Sequence, residues 1–167
     1  LLVGNPGSGK SVVMGDVLRN LEERNIPVLG LKADQDCAEN LSELGVRLEL
    51  DEGIVEVIQA LAQSDERVVL LVDQIDALSQ SLSVRREYLN TFTRLVHALE
   101  AISNVRIIVS CRTYDLQNDQ AFNFYQSQRQ ITLGKLGEEQ VKSVLQKLDP
   151  ANPPLTKELM ELLQVPL

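Results

Sequence analysis

Hydrophobic residues fall along this chain in two alternating rhythms. Short runs rich in Val, Ile and Leu occur at residues 1–3, 28–31, 68–72, 105–109 and 131–133. Runs of that length suit strands covered on both faces, as in parallel sheets. Between them the apolar positions return every three or four residues. Val13, Met14, Val17, Leu18 and Leu21 make one such stripe, and Ile54, Val57, Ile58 and Leu61 a second. Leu89, Phe92, Val96, Leu99 and Ile102 make a third, within residues 83–103. Val141, Val144, Leu145 and Leu148, then Leu159, Leu162 and Leu163, complete the series. That period predicts amphipathic helices.

Local punctuation sets the expected ends. Pro27 forces Ile26 out of the α region and should stop the first helix near Asn25. Asp51 is placed to cap the second helix and Thr156 the last. Residues 41–50 show no clear period, and residues 122–128 read as irregular. The Asp- and Pro-rich stretch 149–154 reads as a linker. Strand and helix thus alternate five times, which predicts an α/β fold with helices on both faces of a parallel sheet. After Gly134 the pattern is purely helical, so residues 1–134 read as a core and 135–167 as the start of a helical subdomain.

Composition narrows the function classes. The 167 residues are 44% hydrophobic and 24% charged, as expected of a globular domain with a real core. The net charge is −8 with no basic run, which argues against a nucleic-acid grip through phosphates. No apolar run approaches the roughly 20 residues of a membrane helix, and no signal peptide is present. Cys37 and Cys111 lie in no metal-ligand spacing and read as reduced thiols, so a cytoplasmic protein is expected. The chain opens inside a strand without an initiator Met and stops after Pro166. Both ends read as cut from a longer protein.

The first strand runs into Gly4-Asn5-Pro6-Gly7-Ser8-Gly9-Lys10-Ser11, which fits G-x-x-x-x-G-K-[ST], the Walker A signature. Its glycines let the backbone curl so that N–H groups converge on phosphate oxygens, and the following helix aims its positive end there. Lys10 can reach the β- and γ-phosphates, and the Ser11 hydroxyl can ligate Mg²⁺. The alternative is a glycine-rich turn without a ligand; the strand before and the amphipathic helix after are the context that favours phosphate. The run Val68-Val69-Leu70-Leu71-Val72-Asp73 places a carboxylate at a strand's carboxyl end, where open α/β sheets bind ligands. Asp73 can hold Mg²⁺, in the manner of a Walker B acid, or cap the next turn. Asp76 can polarise an attacking water, hold a neighbouring arginine, or be solvated.

One extra strand, 28–31, separates phosphate loop from acidic strand. This is similar to the additional-strand division of P-loop ATPases, and unlike nucleoside kinases. That likeness implies a three-layer sandwich with a five-stranded parallel sheet in the order 5-1-4-3-2. It would set the fourth strand between the phosphate-loop and acidic strands, with its exit overlooking the γ-phosphate. Ser110 can then bond that phosphate or the water, and Arg112 can neutralise charge or clamp the acidic strand end. A surface ion pair with Asp115 is the alternative for Arg112. Arg129 stands where related ring ATPases carry an arginine finger, although a solvent-facing strand end explains it as well. Arg85, Arg86 and the lone His97 read as ordinary helix-surface residues.

With these residues in hand, the chain resembles the STAND class of signalling NTPases, which includes the NACHT and AP-ATPase families. LLVDQIDAL, with Asp73 and Asp76, is similar to the acidic strand of that class. IIVSCRTYDL is similar to its strand-then-arginine motif, and ITLGKLGEEQVKSVL followed by LLQVPL to its passage into a helical lid. The resemblance implies an ATP/ADP switch with Mg²⁺ and slow hydrolysis. It also implies a lid over the nucleotide touching it through Pro166, fused sensor or effector domains, and a possible homo-oligomer in the ATP state. Gln74 departs from the catalytic Glu of AAA+ ATPases, and Ala77 from a further acidic residue of many NACHT proteins. An AAA+ enzyme of the origin-recognition or helicase-loader kind, turning over in an oligomer, is the main alternative. A degenerate module using nucleotide as structural glue is the third.

Overall fold

The computed structural model describes residues 1–79, 83–148 and 156–164. The 149–154 linker and Pro166 lie outside these, as do the side chains of Arg85, Val144 and Leu148. Five strands form one parallel sheet: β1 (Leu2–Gly4), β2 (Val28–Lys32), β3 (Val68–Asp73), β4 (Val105–Arg112) and β5 (Ile131–Leu133). Their order is β2-β3-β4-β1-β5, the expected 5-1-4-3-2 read from the opposite edge. β4 therefore lies between β1 and β3, with Gly4 level with Arg112 and Val72 level with Val109. This register brings the carboxyl ends of β1, β3 and β4 side by side.

Helix α1 (Lys10–Glu23) covers one face of the sheet. Its Met14 packs with Leu2, Val69 and Leu71, and Val13, Val17, Leu18 and Leu21 close around them. The opposite face buries Val68, Leu70 and Val72 against α3 (Ile54–Ser64) and α4 (Ser83–Glu100), which supply Ile54, Ile58, Leu89, Phe92, Val96 and Leu99. Every residue of β3 is buried because both its faces are covered, which is why its sequence is an unbroken apolar run.

Helix ends depart from the sequence reading in informative ways. The first helix ends at Glu23, close to the expected stop near Asn25 and ahead of Pro27. Asn25 turns left-handed at φ 54°, and the N–H groups of Asn25 and Ile26 bond to the carbonyls of Glu22 and Leu21. These two bonds make a Schellman stop with Ile26 packed alongside Leu21. Asp51 does not cap α3; Gly53 occupies the cap position and makes no side-chain bond. The stretch without a period folds as α2 (Leu41–Arg47), where the Asn40 side chain accepts from the Glu43 N–H at 2.9 Å. A second Schellman stop ends it at Glu49, φ 55°, a residue that carries no glycine signal.

α5 (Thr113–Asn118) follows Arg112 directly, and after a 3₁₀ turn the segment read as irregular, 122–128, contains α6 (Asn123–Gln126). Phe122 and Tyr125 from this region are fully buried, and the Tyr125 hydroxyl meets Thr93 at 3.2 Å. Beyond β5 come α7 (Glu138–Leu148) and α8 (Lys157–Leu163). Thr156 caps α8 as expected, and the Leu136 N–H reaches the Gln164 carbonyl at 2.7 Å. Among the described residues no helix is long and apolar enough to cross a membrane.

Candidate functional site

The phosphate loop curls between β1 and α1 because two of its residues adopt backbone angles that favour glycine. Gly7 sits at φ 72° and Gly9 at φ 84°. Gly4 is constrained differently. A Cβ there would lie 2.4 Å from Ser8 Oγ and 3.2 Å from the Leu133 carbonyl, so the loop closes only over a hydrogen. The Ser8 N–H bonds to the Asn5 carbonyl at 3.1 Å, while the Ser8 hydroxyl is enclosed without a hydrogen-bond partner. Gly9 stands at the N-cap of α1 and offers no capping side chain, which leaves the first N–H groups of the helix facing the loop.

A cleft of about 240 Å³ opens over this loop. Pro6, Gly7, Ser8, Gly9, Lys10, Ser11 and Val12 line one side, with Gln74, Asp76 and Arg112 across from them. Lys10 is buried, and its ammonium donates to the Gly4 and Asn5 carbonyls at 2.9 and 3.1 Å. Burial lowers its pKa, while the nearby Asp76 carboxylate pulls it back up. The chain therefore holds a partly desolvated cation at the mouth of a helix N-terminus, which is a strong attractor for anions.

The two acidic residues have different partners. Asp73, at the end of β3, accepts from the Ser110 hydroxyl and from the Gln74 N–H at 3.0 Å. Asp76, in the 3₁₀ turn Ile75–Leu78, is 4% exposed and has both oxygens engaged by Arg112. The Arg112 N–H reaches Oδ1 at 3.0 Å and its Nε reaches Oδ2 at 2.9 Å. Burial nevertheless pushes the Asp76 carboxyl above its ordinary range, against the pull of Arg112. The Arg112 side chain remains 48% exposed, so the clamp on Nε aims the guanidinium at the cleft while leaving it free to bind.

Ser110 has a different setting from the one its sequence position suggested. Its side chain is fully buried, donating to Asp73 and accepting from the Gln74 N–H at 2.9 Å. It braces the acidic strand end. Asp73 lines a second cleft of about 280 Å³, adjoining the first and sharing Ser11 with it. One hydroxyl and one carboxylate on a common cleft are a sparse donor set, and no cluster of three or more His, Cys, Asp or Glu could cage a metal among the described residues. Such a set fits Mg²⁺, which keeps waters and takes further ligands from bound phosphates.

Other candidates stay apart from the cleft. Arg129 and Arg86 are exposed, and His97 stacks on Phe124 with ring centres 4.0 Å apart. Cys111 is buried, its thiol pushed up to about 12 by burial, and Cys37 is partly buried; both are free. Two contributions escaped the sequence reading. Val12 lines the cleft, and the Gln74 side chain crosses it to Ser11. Neither has a motif of its own; Gln74 stood out in the sequence only as a departure from an acidic position.

Comparison with known proteins agrees with this geometry. The family model described as novel STAND NTPase 1 matches residues 1–161. The chain belongs to that family. Its fold is shared with AMPPCP-bound DnaA from Aquifex aeolicus and with a structure described as a DNA replication initiation factor. Each match has a TM-score of 0.58 at 18% identity and covers 98% of this chain. The chain spans 48% of the length of either protein, so the likeness concerns one part of them. No curated protein matches the chain in sequence. This novel STAND NTPase thus has the P-loop α/β fold of a nucleotide-binding family, with the loop's polar groups gathered at one end of its sheet.

Proposed function

We propose that the chain is the nucleotide-binding unit of a regulatory ATPase that takes ATP or ADP with Mg²⁺ and acts as a slowly resetting switch. The observation that carries this reading is the placement of Arg112. A buried carboxylate fixes it across the cleft from Lys10, so two cations face one cleft. A terminal phosphate set between them can exchange the Lys10 bonds to Gly4 and Asn5 for bonds to its own oxygens. A diphosphate leaves Arg112 without that partner. Differential contact of this kind is what a two-state switch requires of its ligands.

Ser11 and Asp73 are the residues that would hold Mg²⁺, and Ser110 keeps the Asp73 carboxylate oriented. Bound there, the cation would offset phosphate charge and orient the oxygens for in-line attack. No carboxylate follows Asp73 directly; the neutral Gln74 can orient a water but cannot take its proton, which supports slow hydrolysis. In this reading residues 135–167 form a lid that closes through Pro166 on the nucleotide, and the ATP form exposes surfaces for a homo-oligomer and fused sensor or effector domains.

The test is the nucleotide released on denaturing freshly purified full-length protein, wild type against Lys10→Ala. Stoichiometric ADP from wild type and none from the variant is the expected result. An empty wild type that turns ATP over repeatedly would replace the switch with an AAA+-type enzyme. Neither nucleotide nor turnover would leave a degenerate module.

A further inference from the structure

Among the described residues, Gln74 is one of three non-glycine residues with positive φ, and it is unlike the other two. Asn25 and Glu49 sit at helix C-termini, where a left-handed residue closes a Schellman stop. Gln74, at φ 58° and ψ 41°, ends no helix; it lies between β3 and the 3₁₀ turn, at the cleft. A strained backbone at such a place is held by what surrounds it. Here the Gln74 N–H is shared between Asp73 Oδ1 at 3.0 Å and Ser110 Oγ at 2.9 Å. That pins the main chain and launches the side chain toward α1. Its Nε2 reaches Ser11 Oγ at 3.3 Å, across 63 positions of sequence.

We infer that Gln74 is a positioning residue that ties together the two metal-binding groups, Asp73 through its backbone and Ser11 through its side chain. The inference rests on the reading above that Ser11 and Asp73 hold Mg²⁺. A hydroxyl has one proton and two lone pairs, and it rotates freely unless a partner fixes it. The Gln74 amide occupies one lone pair of Ser11 Oγ. The other is then held in one direction for a cation, and the proton is left for an acceptor. Partners of this kind outside a metal's ligand set tune affinity strongly when they are removed. The left-handed backbone at Gln74 accompanies a side chain turned inward onto Ser11.

The experiment separates this role from a structural one. Gln74→Gly keeps the left-handed backbone at ease and deletes the amide; Gln74→Asn tolerates the same backbone but is one methylene shorter. Full-length wild type and both variants are titrated with Mg²⁺ while ATP binding is followed, and ATP affinity is measured again in EDTA. In both variants the Mg²⁺ needed for half-maximal effect is expected to rise about tenfold or more. EDTA affinity and thermal midpoint should stay at or above wild-type values. Combined with Ser11→Ala, Gln74→Gly should add no further loss, because both act on one hydroxyl. A Mg²⁺-dependent wild type whose variants keep its half-saturation, or a double variant with fully additive losses, overturns the role of Gln74 alone. A wild type indifferent to Mg²⁺ overturns the assignment of Ser11 and Asp73, and this role with it.

Discussion

The two sides of the acidic turn solve the same problem in opposite ways. On the α1 side, Asp73 is buried among neutral donors, the Ser110 hydroxyl and the Gln74 N–H. Three residues later, Asp76 is buried against a cation, with both oxygens on Arg112. Neutral hydrogen bonds bring no compensating positive charge, which suits Asp73 to the proposed Mg²⁺ role. An arginine partner cancels most of that charge, so Asp76 holds and aims another group instead. Burial alone therefore does not say what an acidic residue is for. The partner does.

The contrast breaks first at Asp73. Asp73→Asn keeps the shape but removes the charge, and Mg²⁺-dependent nucleotide binding or hydrolysis should fall roughly a hundredfold or more. Isothermal titration with and without the metal checks it, with metal-free nucleotide binding little changed. Asp76→Asn, in contrast, should leave the metal dependence near wild type.

Arg112→Ala tests the other side. It removes the cation facing the terminal phosphate and should cut the preference for ATP over ADP about tenfold, the size of one charge-assisted hydrogen bond. Competition of the two nucleotides for the purified protein measures it. Ser110→Ala leaves Asp73 with one donor and should cost about 1 kcal/mol of stability, read from denaturant midpoints.

The difference also sharpens with pH. The folded-state pKa of Asp76 is raised, so its share of stability is complete below its ordinary 3.8 and is lost as pH rises through the folded value. Asp76→Asn lacks this loss. It should therefore gain on wild type in urea midpoints as pH climbs through that window. At the small end, Asp16 and Arg19 form an exposed pair on α1 that lines neither of the two clefts described above. Asp16→Ala should shift stability by less than about 0.5 kcal/mol, which sets the baseline for an ion pair in water.

Much of the fold was legible before any coordinates. The five apolar runs became the five strands, most plainly at β3, which is covered on both faces and so has no polar alternation to blur it. Helices α1, α3, α4 and α7 followed their stripes. What failed was local: α2 is short, and a side-chain cap and a left-handed Glu49 hold it where no periodic stripe announces it. The Asp51 cap failed for a related reason. Several residues near a helix end can satisfy its free groups, and neighbouring packing selects among them. The phosphate loop was readable outright, since Gly7 and Gly9 occupy the angles their identity suggests.

The chain's own order of residues was thus enough for the phosphate loop, the parallel α/β class and the placing of an acidic residue at a strand end. Those depend on short-range chemistry: glycine's backbone freedom, apolar periodicity and the polarity of a helix. The pairings that give the site its character lie elsewhere. Ser110 on Asp73, Arg112 on Asp76 and Gln74 on Ser11 join residues 37, 36 and 63 positions apart. They exist only because β4 inserts between β1 and β3 and brings three strand ends level. Sheet order is set by packing over the whole domain, so no local stretch of sequence could announce which donor would meet which carboxylate.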